Sequence, residues 1–428
     1  MCIAGRCASP TCRVSERDAN VEAFRVADAK QAADVISWAA AEERPLEIVG
    51  GGSKRGLGRA TQVGNMLDVS GLSGISDYEP GELVLTAGAA TPIPDIERAL
   101  DAERQMLAFE PPDLRALLGS EDRTPTLGGV VSCNLGGPRR VTGGAARDHL
   151  LGFHAVNGRG ELFKSGGKVV KNVTGYDLSK LVCGAYGTLC VLTELSVKVL
   201  PRPETSRTIL LFGLDDITGL AALMDGMNSA HEYSACAHLP QVVAGRSKVP
   251  VVSGAAASVT ALRIEGPAPS TEFRAGKLND LLRGHGRTHL IDDTDSRALW
   301  AEIRDVLYFS ADRSRPVWRL SVAPAQGHKV ASDIARQLDA EYFFDWGGGL
   351  LWVAIAADVA DAGAQVLRTA VAAHGGGHAT LMRAPEGLRA SVPVFEPLPD
   401  ALAALTARVK ESFDPRRILN PGRIYAGV

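Results

Sequence analysis

Between Arg123 and Pro201 the chain sets glycine pairs at Gly128-Gly129, Gly136-Gly137, Gly143-Gly144 and Gly166-Gly167 between short apolar runs. Glycine accepts positive φ and carries no Cβ, so a backbone punctuated in this way bends repeatedly and presents bare amides. That is a way to line a long polar ligand. Upstream, Leu46-Glu47-Ile48-Val49 runs as a short apolar strand straight into Gly50-Gly51-Gly52-Ser53-Lys54, the arrangement of a phosphate-cradling turn. Taken alone, the same glycines suit a flexible loop equally well.

Composition narrows the class. A chain of 428 residues, 45% hydrophobic and 22% charged, holds enough apolar material for two domains with real cores. A formal net charge of −3 leaves no electrostatic footprint for nucleic acid or an anionic membrane surface, so small substrates and protein partners remain. No apolar run reaches the roughly 20 residues of a spanning helix, and Leu350 to Ala357 has strand length. The N-terminus has no apolar stretch of the secretory kind, so the expectation is a soluble, cytoplasmic chain without direct membrane insertion. Seven cysteines suit a reducing compartment, with Cys133, Cys183, Cys190 and Cys236 as small buried residues. Cys2, Cys7 and Cys12 match no common ferredoxin spacing, and residues 1–18 read as a frayed tail.

Along the chain, Val21 to Val26 reads as an edge strand, and Asp28 caps an Ala-rich helix that runs to about Glu43. Strands follow at Leu46–Gly50, Asn65–Val69 and Leu83–Ala87, then a short helix over Pro94–Ala102 and a rigid proline loop from Phe109. Glycine-punctuated strands are expected from there to Leu200, including a hairpin turning at Asn157-Gly158. Pro201-Arg202-Pro203 marks a boundary. Beyond it, strands at Thr208–Phe212, Val259–Glu265 and Trp318–Val322, and a hairpin across Gly347-Gly348-Gly349, alternate with helices. Asp215–Ser229, His328–Leu338 and Asp361–Ala373 are such helices, and the pattern implies an antiparallel sheet under helices. A last helix from about Leu398 to Ser412 leads into Phe413-Asp414-Pro415 and Asn420-Pro421-Gly422-Arg423.

Gly50 to Lys54 and Thr126-Leu127-Gly128-Gly129 together resemble the two glycine segments of the vanillyl-alcohol oxidase/p-cresol methylhydroxylase (PCMH-type) flavoprotein superfamily. Glu110-Pro111-Pro112-Asp113, Arg147-Asp148-His149-Leu150-Leu151-Gly152, Lys171-Asn172-Val173-Thr174-Gly175-Tyr176-Asp177-Leu178 and Gly187-Thr188-Leu189-Cys190-Val191-Leu192-Thr193-Glu194 extend the likeness in order and spacing. The resemblance implies an α+β chain with a PCMH-type FAD-binding domain of two α/β subdomains over residues 19–203. It further implies an α+β substrate or cap domain over 204–397, with an antiparallel sheet covered by helices, and a helix and tail over 398–428 returning to the flavin domain. FAD contacts are then expected from Gly50, Gly51, Gly52, Ser53 and Lys54, and from Pro111, Pro112 and Asp113. Thr126, Gly128, Gly129, Asn134 and Asp148 follow, with Gly187, Thr188 and Val191, and from the tail Asn420 and Arg423. Asn420-Pro421-Gly422 also reads simply as a turn. The glycine loop holds no His or Cys for covalent attachment, so noncovalent FAD is expected, with Cys133 and His149 as the alternatives.

Within that superfamily the chain is similar to the FAD-binding subunits of bacterial glycolate oxidase. The pointers are Phe109-Glu110-Pro111-Pro112, Gly136-Gly137-Pro138-Arg139-Arg140, Ala185-Tyr186-Gly187 and Asn420-Pro421-Gly422-Arg423-Ile424-Tyr425, with Tyr186 where other branches usually carry Glu. The likeness implies a complex with a second FAD-containing catalytic subunit and an iron–sulfur subunit. Together they oxidise glycolate to glyoxylate, with contact at the inner membrane made through the partners. The rival reading is a self-sufficient dehydrogenase of D-2-hydroxy acids such as glycolate or lactate. Related dehydrogenases use a histidine cluster with a carboxylate to bind metal. Here His374-Gly375-Gly376-Gly377-His378 offers two histidines with no carboxylate nearby in the sequence, so no metal site is expected. Arg319, Arg383 and His378 are the only candidates for substrate contact, and an arginine in a strand more often makes a structural ion pair.

Overall fold

The computed structural model describes residues 22–61, 63–168 and 175–428; Cys2, Cys7, Cys12 and the stretch Lys171-Asn172-Val173-Thr174 lie outside the described residues. The first layer is a parallel sheet of β1 (Glu22–Arg25), β2 (Leu46–Val49) and β3 (Asn65–Asp68), in the order β1-β3-β2. Between β1 and β2 runs the helix Ala29–Ala41, and the Asp28 carboxylate accepts the Gln31 amide at its start, as the sequence predicts. Ala32, Ile36 and Ala39 lie three or four residues apart and bury one stripe of this helix against the sheet.

Next come β4 (Ile75–Glu79), β5 (Val84–Gly88), the two-residue β6 (Gln105–Met106), β7 (Leu150–Asn157), β8 (Leu162–Gly166), β9 (Cys190–Lys198) and the short β10 (Leu200–Pro201). Five of them make an antiparallel sheet ordered β4-β5-β9-β7-β8, while β6 pairs with β10. The predicted Asn157-Gly158 hairpin is present, with Asn157 Oδ1 accepting the amides of Arg159 and Glu161. One expectation fails. Thr126 begins a helix, Leu127–Cys133, not a strand, and its hydroxyl accepts the Gly129 amide. Gly128 is there for packing: a Cβ on it would sit 2.8 Å from the Ala89 carbonyl oxygen.

The second half is one eight-stranded antiparallel sheet. Its strands are β11 (Thr205–Phe212), β12 (Tyr233–Leu239), β13 (Val259–Gly266), β14 (Thr288–Ile291), β15 (Val317–Val322), β16 (Ala340–Asp345), β17 (Leu350–Ile355) and β18 (Gly377–Arg383). The order is β14-β11-β13-β12-β16-β17-β15-β18. Side chains alternate between its faces. Ile209, Leu211, Leu262 and Ile264 meet the helices Asp216–Met227 and Ala268–Leu282, and Trp318, Leu320, Leu351 and Val353 meet Gly327–Ala335 and Ala364–Ala373. The opposite face, with Ala235, Ala237, Ala261, Phe343 and Trp352, packs into the core of the first half.

Charge registers that contact. Arg139 reaches Glu265 at 2.7 Å and Glu110 at 3.3 Å, and Arg263 reaches the same two carboxylates at 2.9 Å (Glu110) and 3.0 Å (Glu265). Two arginines and two glutamates from the two halves therefore alternate in a closed ring. Burial alone would raise the Glu265 pKa, but Arg263 and Arg139 more than offset it and hold the carboxylate below its ordinary range.

Candidate functional site

A cleft opens where β2 ends. Counting the part open to solvent, it encloses about 800 Å³ between the Gly50–Arg55 loop, the helix Leu127–Cys133, the Tyr186-Gly187 turn and the C-terminal tail. The amides of Gly50, Gly51 and Gly52 donate to no group among the described residues. Gly51 cannot be anything larger, because a Cβ there would lie 1.9 Å from the Thr124 carbonyl oxygen. Lys54 extends along the cleft with Nζ 3.3 Å from Ser53 Oγ, and no carboxylate of the described residues pairs with it. Burial pushes its ammonium below the ordinary lysine range. A row of free amides beside a part-buried, unpaired cation is a donor set waiting for an anion, and a diphosphate supplies one. Opposite, Ile48, Val49, Val69, Ala89, Cys190 and Leu192 form an apolar wall suited to flat rings. The residues present therefore fit FAD.

The tail closes the cleft. The Leu46 amide donates to the Ile418 carbonyl and the Asn420 amide to the Leu46 carbonyl, so residues 418–420 lie alongside β2. The Asn420 side chain accepts the Ile48 amide at 2.9 Å and donates to the Tyr186 carbonyl at 2.8 Å, bridging two walls. Gly187, at φ +71°, has room for no Cβ beside it: Asn420 Nδ2 would be 2.7 Å away. Arg423 donates to the carbonyls of Lys54 and Arg55, holding the glycine loop from behind.

Gly50, Gly51, Gly52, Ser53, Lys54, Thr126, Gly128, Gly129, Gly187, Asn420 and Arg423 all line this cleft. The other residues expected to touch FAD do not. Pro111, Pro112 and Asp113 lie off the cleft lining, and Asp113 turns toward the second half: its amide donates to Asp305, and its carboxylate pairs with Arg115 at 2.6 Å. Asn134 accepts the Arg147 amide, Asp148 accepts the Ala145 amide, and the Thr188 hydroxyl donates to the Ala185 carbonyl, so each has a local partner. Val191 faces the helix Ala29–Ala41, while its neighbours Cys190 and Leu192 face the cleft. Strand alternation from Gly187 carries that phase, and it was the signal available in the sequence. Cys133 lines the cleft with its thiol pushed up to about 11 by burial. His149 does not, since its ring nitrogens face the carbonyls of Gly143 and Lys198.

Of the three candidates on the sheet, Arg383 is a strut. It donates to the carbonyls of Leu117, Phe309, Asp312 and Arg315, leaving nothing for a substrate. His378 is exposed on β18, opposite Ser321 of β15, and thus shares a sheet face with Arg319. His374 pairs with Asp333 at 2.7 Å. Among the described residues no three His, Cys, Asp or Glu side chains gather to hold a metal. Arg319 is different. Its guanidinium stacks 4.9 Å from the Trp346 ring centroid, and Arg140, which sequence reasoning passed over, stacks at 4.9 Å on the same ring.

With this geometry in view, the comparisons are specific. Residues 23–166 match the model of an FAD binding domain. The glycolate oxidase subunit GlcE of Escherichia coli (strain K12) is 35% identical over 395 residues, covering 91% of this chain and 95% of that protein. The chain belongs to the GlcE family of FAD-binding glycolate oxidase subunits. It is therefore a flavoprotein of the oxidoreductase class, with FAD as its cofactor. The glycolate oxidase subunit GlcD of Bacillus subtilis (strain 168) is 27% identical, over 86% of this chain and 80% of that one. Among solved structures, p-cresol methylhydroxylase with substrate bound superposes with a TM-score of 0.67 at 14% identity, covering 94% of this chain and 88% of that one. A 4-ethylphenol oxidase from Gulosibacter chungangensis gives 0.68 at 12%, over 94% and 89%. These two establish the PCMH-type fold, as the sequence resemblance implies. No helix among the described residues is long and apolar enough to cross a membrane.

Proposed function

We propose that this chain is the FAD-carrying subunit of a glycolate oxidase complex, in which it takes part in oxidising glycolate to glyoxylate. Its partners in that reading are a second FAD-containing catalytic subunit and an iron–sulfur subunit that takes the electrons onward. The assembly works on the cytoplasmic side, peripheral to the inner membrane through those partners. The observation that carries the reading is the likeness to the E. coli GlcE subunit along almost the whole length of both chains.

Bound FAD supplies the redox chemistry, accepting two electrons from a substrate carbon. The chain's own residues bind and orient it. Free amides of Gly50 to Gly52 and the Lys54 ammonium hold the diphosphate, the Ile48–Leu192 wall excludes water from the rings, and Asn420 and Arg423 fix the loop geometry. With a neutral Cys133 thiol and His149 turned away, FAD is held without a covalent bond. A second reading, a dehydrogenase that oxidises a 2-hydroxy acid unaided, draws support from the Arg140 and Arg319 cations near the cleft.

An anaerobic visible spectrum separates the two. For the subunit reading, the flavin bands of the isolated chain persist with glycolate and bleach only once both partner subunits are added; bleaching by glycolate alone makes the chain a dehydrogenase in its own right. Acid precipitation should release all of the flavin into solution.

A further inference from the structure

Arg140 and Arg319 reach Trp346 from different halves of the molecule. Arg140 follows the Gly136-Gly137-Pro138 loop, Arg319 lies on β15, and the indole they share is itself fixed, since its Nε1 donates to the Gly137 carbonyl at 3.2 Å. Trp346 sits at φ +53°, a left-handed conformation that costs a bulky residue energy and persists only where the surroundings enforce it. The next glycines do the enforcing: a Cβ on Gly347 would lie 2.3 Å from Met227 Sδ, and one on Gly348 2.1 Å from Leu220. The ring is thus clamped with one guanidinium from each half 4.9 Å from its centroid.

Neither guanidinium makes a hydrogen bond or an ion pair with any described residue, and neither has a nitrogen among the sealed, partnerless atoms, so both reach open space. The nearby arginines show what satisfaction looks like here: Arg139 and Arg263 share Glu110 and Glu265, and Arg383 binds four carbonyls. Burial and the neighbouring Arg140 push the Arg319 pKa down to about 10, and Tyr186 and Asp345 offset only part of that. Tyr186 of the FAD cleft lies within electrostatic reach of Arg319. Its hydroxyl has no partner among the described residues, and its backbone is held on both sides, by the Ser132 carbonyl and by Asn420. Burial keeps the phenol protonated, hence a donor.

We infer that Arg140, Arg319 and Tyr186 form an acid-binding site beside the FAD cleft, which takes a small 2-hydroxy or 2-oxo carboxylate. The guanidinium forks hold the carboxylate, with the phenol donating to the second oxygen. This rests on the reading of the chain as a glycolate oxidase flavin subunit, and it means that the subunit binds the acid whether or not it oxidises it alone.

The test is titration of the full, FAD-loaded chain with oxalate at fixed ionic strength, followed by calorimetry and by the flavin difference spectrum. The wild-type chain should saturate at one oxalate per chain. Arg140→Gln and Arg319→Gln should each weaken binding at least about tenfold, the loss of a charge-assisted pair, at unchanged flavin content. Wild-type affinity in either variant, or no saturable binding by the wild-type chain, overturns the site. A variant that fails to fold leaves a second measurement on the wild-type chain: oxalate should slow phenylglyoxal modification of Arg140 and Arg319, mapped by mass spectrometry, and leave the exposed Arg408 unaffected. Unslowed modification overturns the site as well. A chain that binds FAD but not oxalate defeats this inference and spares the subunit reading. A chain that cannot hold FAD defeats that reading, and arginine protection still decides the acid site.

Discussion

Lys410 is fully buried, the one buried residue of the helix Asp400–Phe413, and its three ammonium protons have three acceptors: Asp414 Oδ2 at 2.8 Å and the carbonyls of Thr188 and Leu419. Asp414, equally buried, also accepts the amides of Ile418 and Leu419. The pair welds the tail to the turn that walls the FAD cleft. Lys410→Met leaves a buried carboxylate without its cation, a loss of about 3–5 kcal/mol, so the urea midpoint should fall sharply and the tail should become open to proteolysis. A change under about 1 kcal/mol would mean that the two amides alone satisfy Asp414. Asp345 behaves in the opposite sense. Burial, reinforced by Glu110 and only partly offset by its own turn amide and by Arg263 and Arg319, raises its carboxyl from an ordinary 3.8 to about 7. The folded state then keeps a proton that the unfolded chain releases, so this group's contribution falls as pH climbs from about 4 to about 7 and is level above that. Asp345→Asn should remove this loss: relative to wild type it should be more stable at about pH 8 than at about pH 5, by at most about 3 kcal/mol. Urea unfolding at the two pH values reads the difference.

At the scale of the element, the segment Ile418–Asn420 works as an added edge beside β2. Asn420→Ala removes the bonds to the Ile48 amide and the Tyr186 carbonyl. Each is worth on the order of 1 kcal/mol, so FAD affinity, followed by flavin fluorescence, should drop about tenfold or more while the fold survives. That the tail returns to the cleft follows from the family resemblance, and Asn420 itself reads equally as a turn residue. Local chemistry made other elements legible: the Asp28 cap, the Asn157-Gly158 hairpin and the β16–β17 hairpin across three glycines stand where turn and cap residues put them. Glycine misled at Gly128, because close helix packing and a strand bend call for the same residue. Asn134, Asp148 and Thr188 stand outside the lining of the cleft for a related reason. Their polar groups serve backbone amides and carbonyls close to hand, and spacing does not distinguish a polar side chain facing a ligand from one facing its own turn. Arg140 was missed because its partner, Trp346, lies 206 positions away and is brought to it only by the docking of the two halves.

The whole molecule is joined through that docking. Leu107, Phe109 and Leu117 from the first half share one apolar core with Trp300, Tyr308 and Phe309 from the second. Arg383 of β18 ties the carbonyl of Leu117 to that of Phe309, and the ring of Glu110, Arg139, Arg263 and Glu265 crosses the same boundary. Parting the halves would expose buried apolar surface and break the two crossing pairs, Arg139–Glu265 and Arg263–Glu110, so neither half has a low-energy way to stand alone. Unfolding should therefore be a single cooperative step. Flavin fluorescence, which reports the first half, and tryptophan emission, dominated by Trp300, Trp318, Trp346 and Trp352 in the second, should lose their signals along one urea curve with one midpoint. Two separated midpoints would make the halves independent units joined by a soft contact. In that case the Trp346 platform, which takes one arginine from each, would be lost at the first transition, and acid binding would vanish while the sheet was still folded.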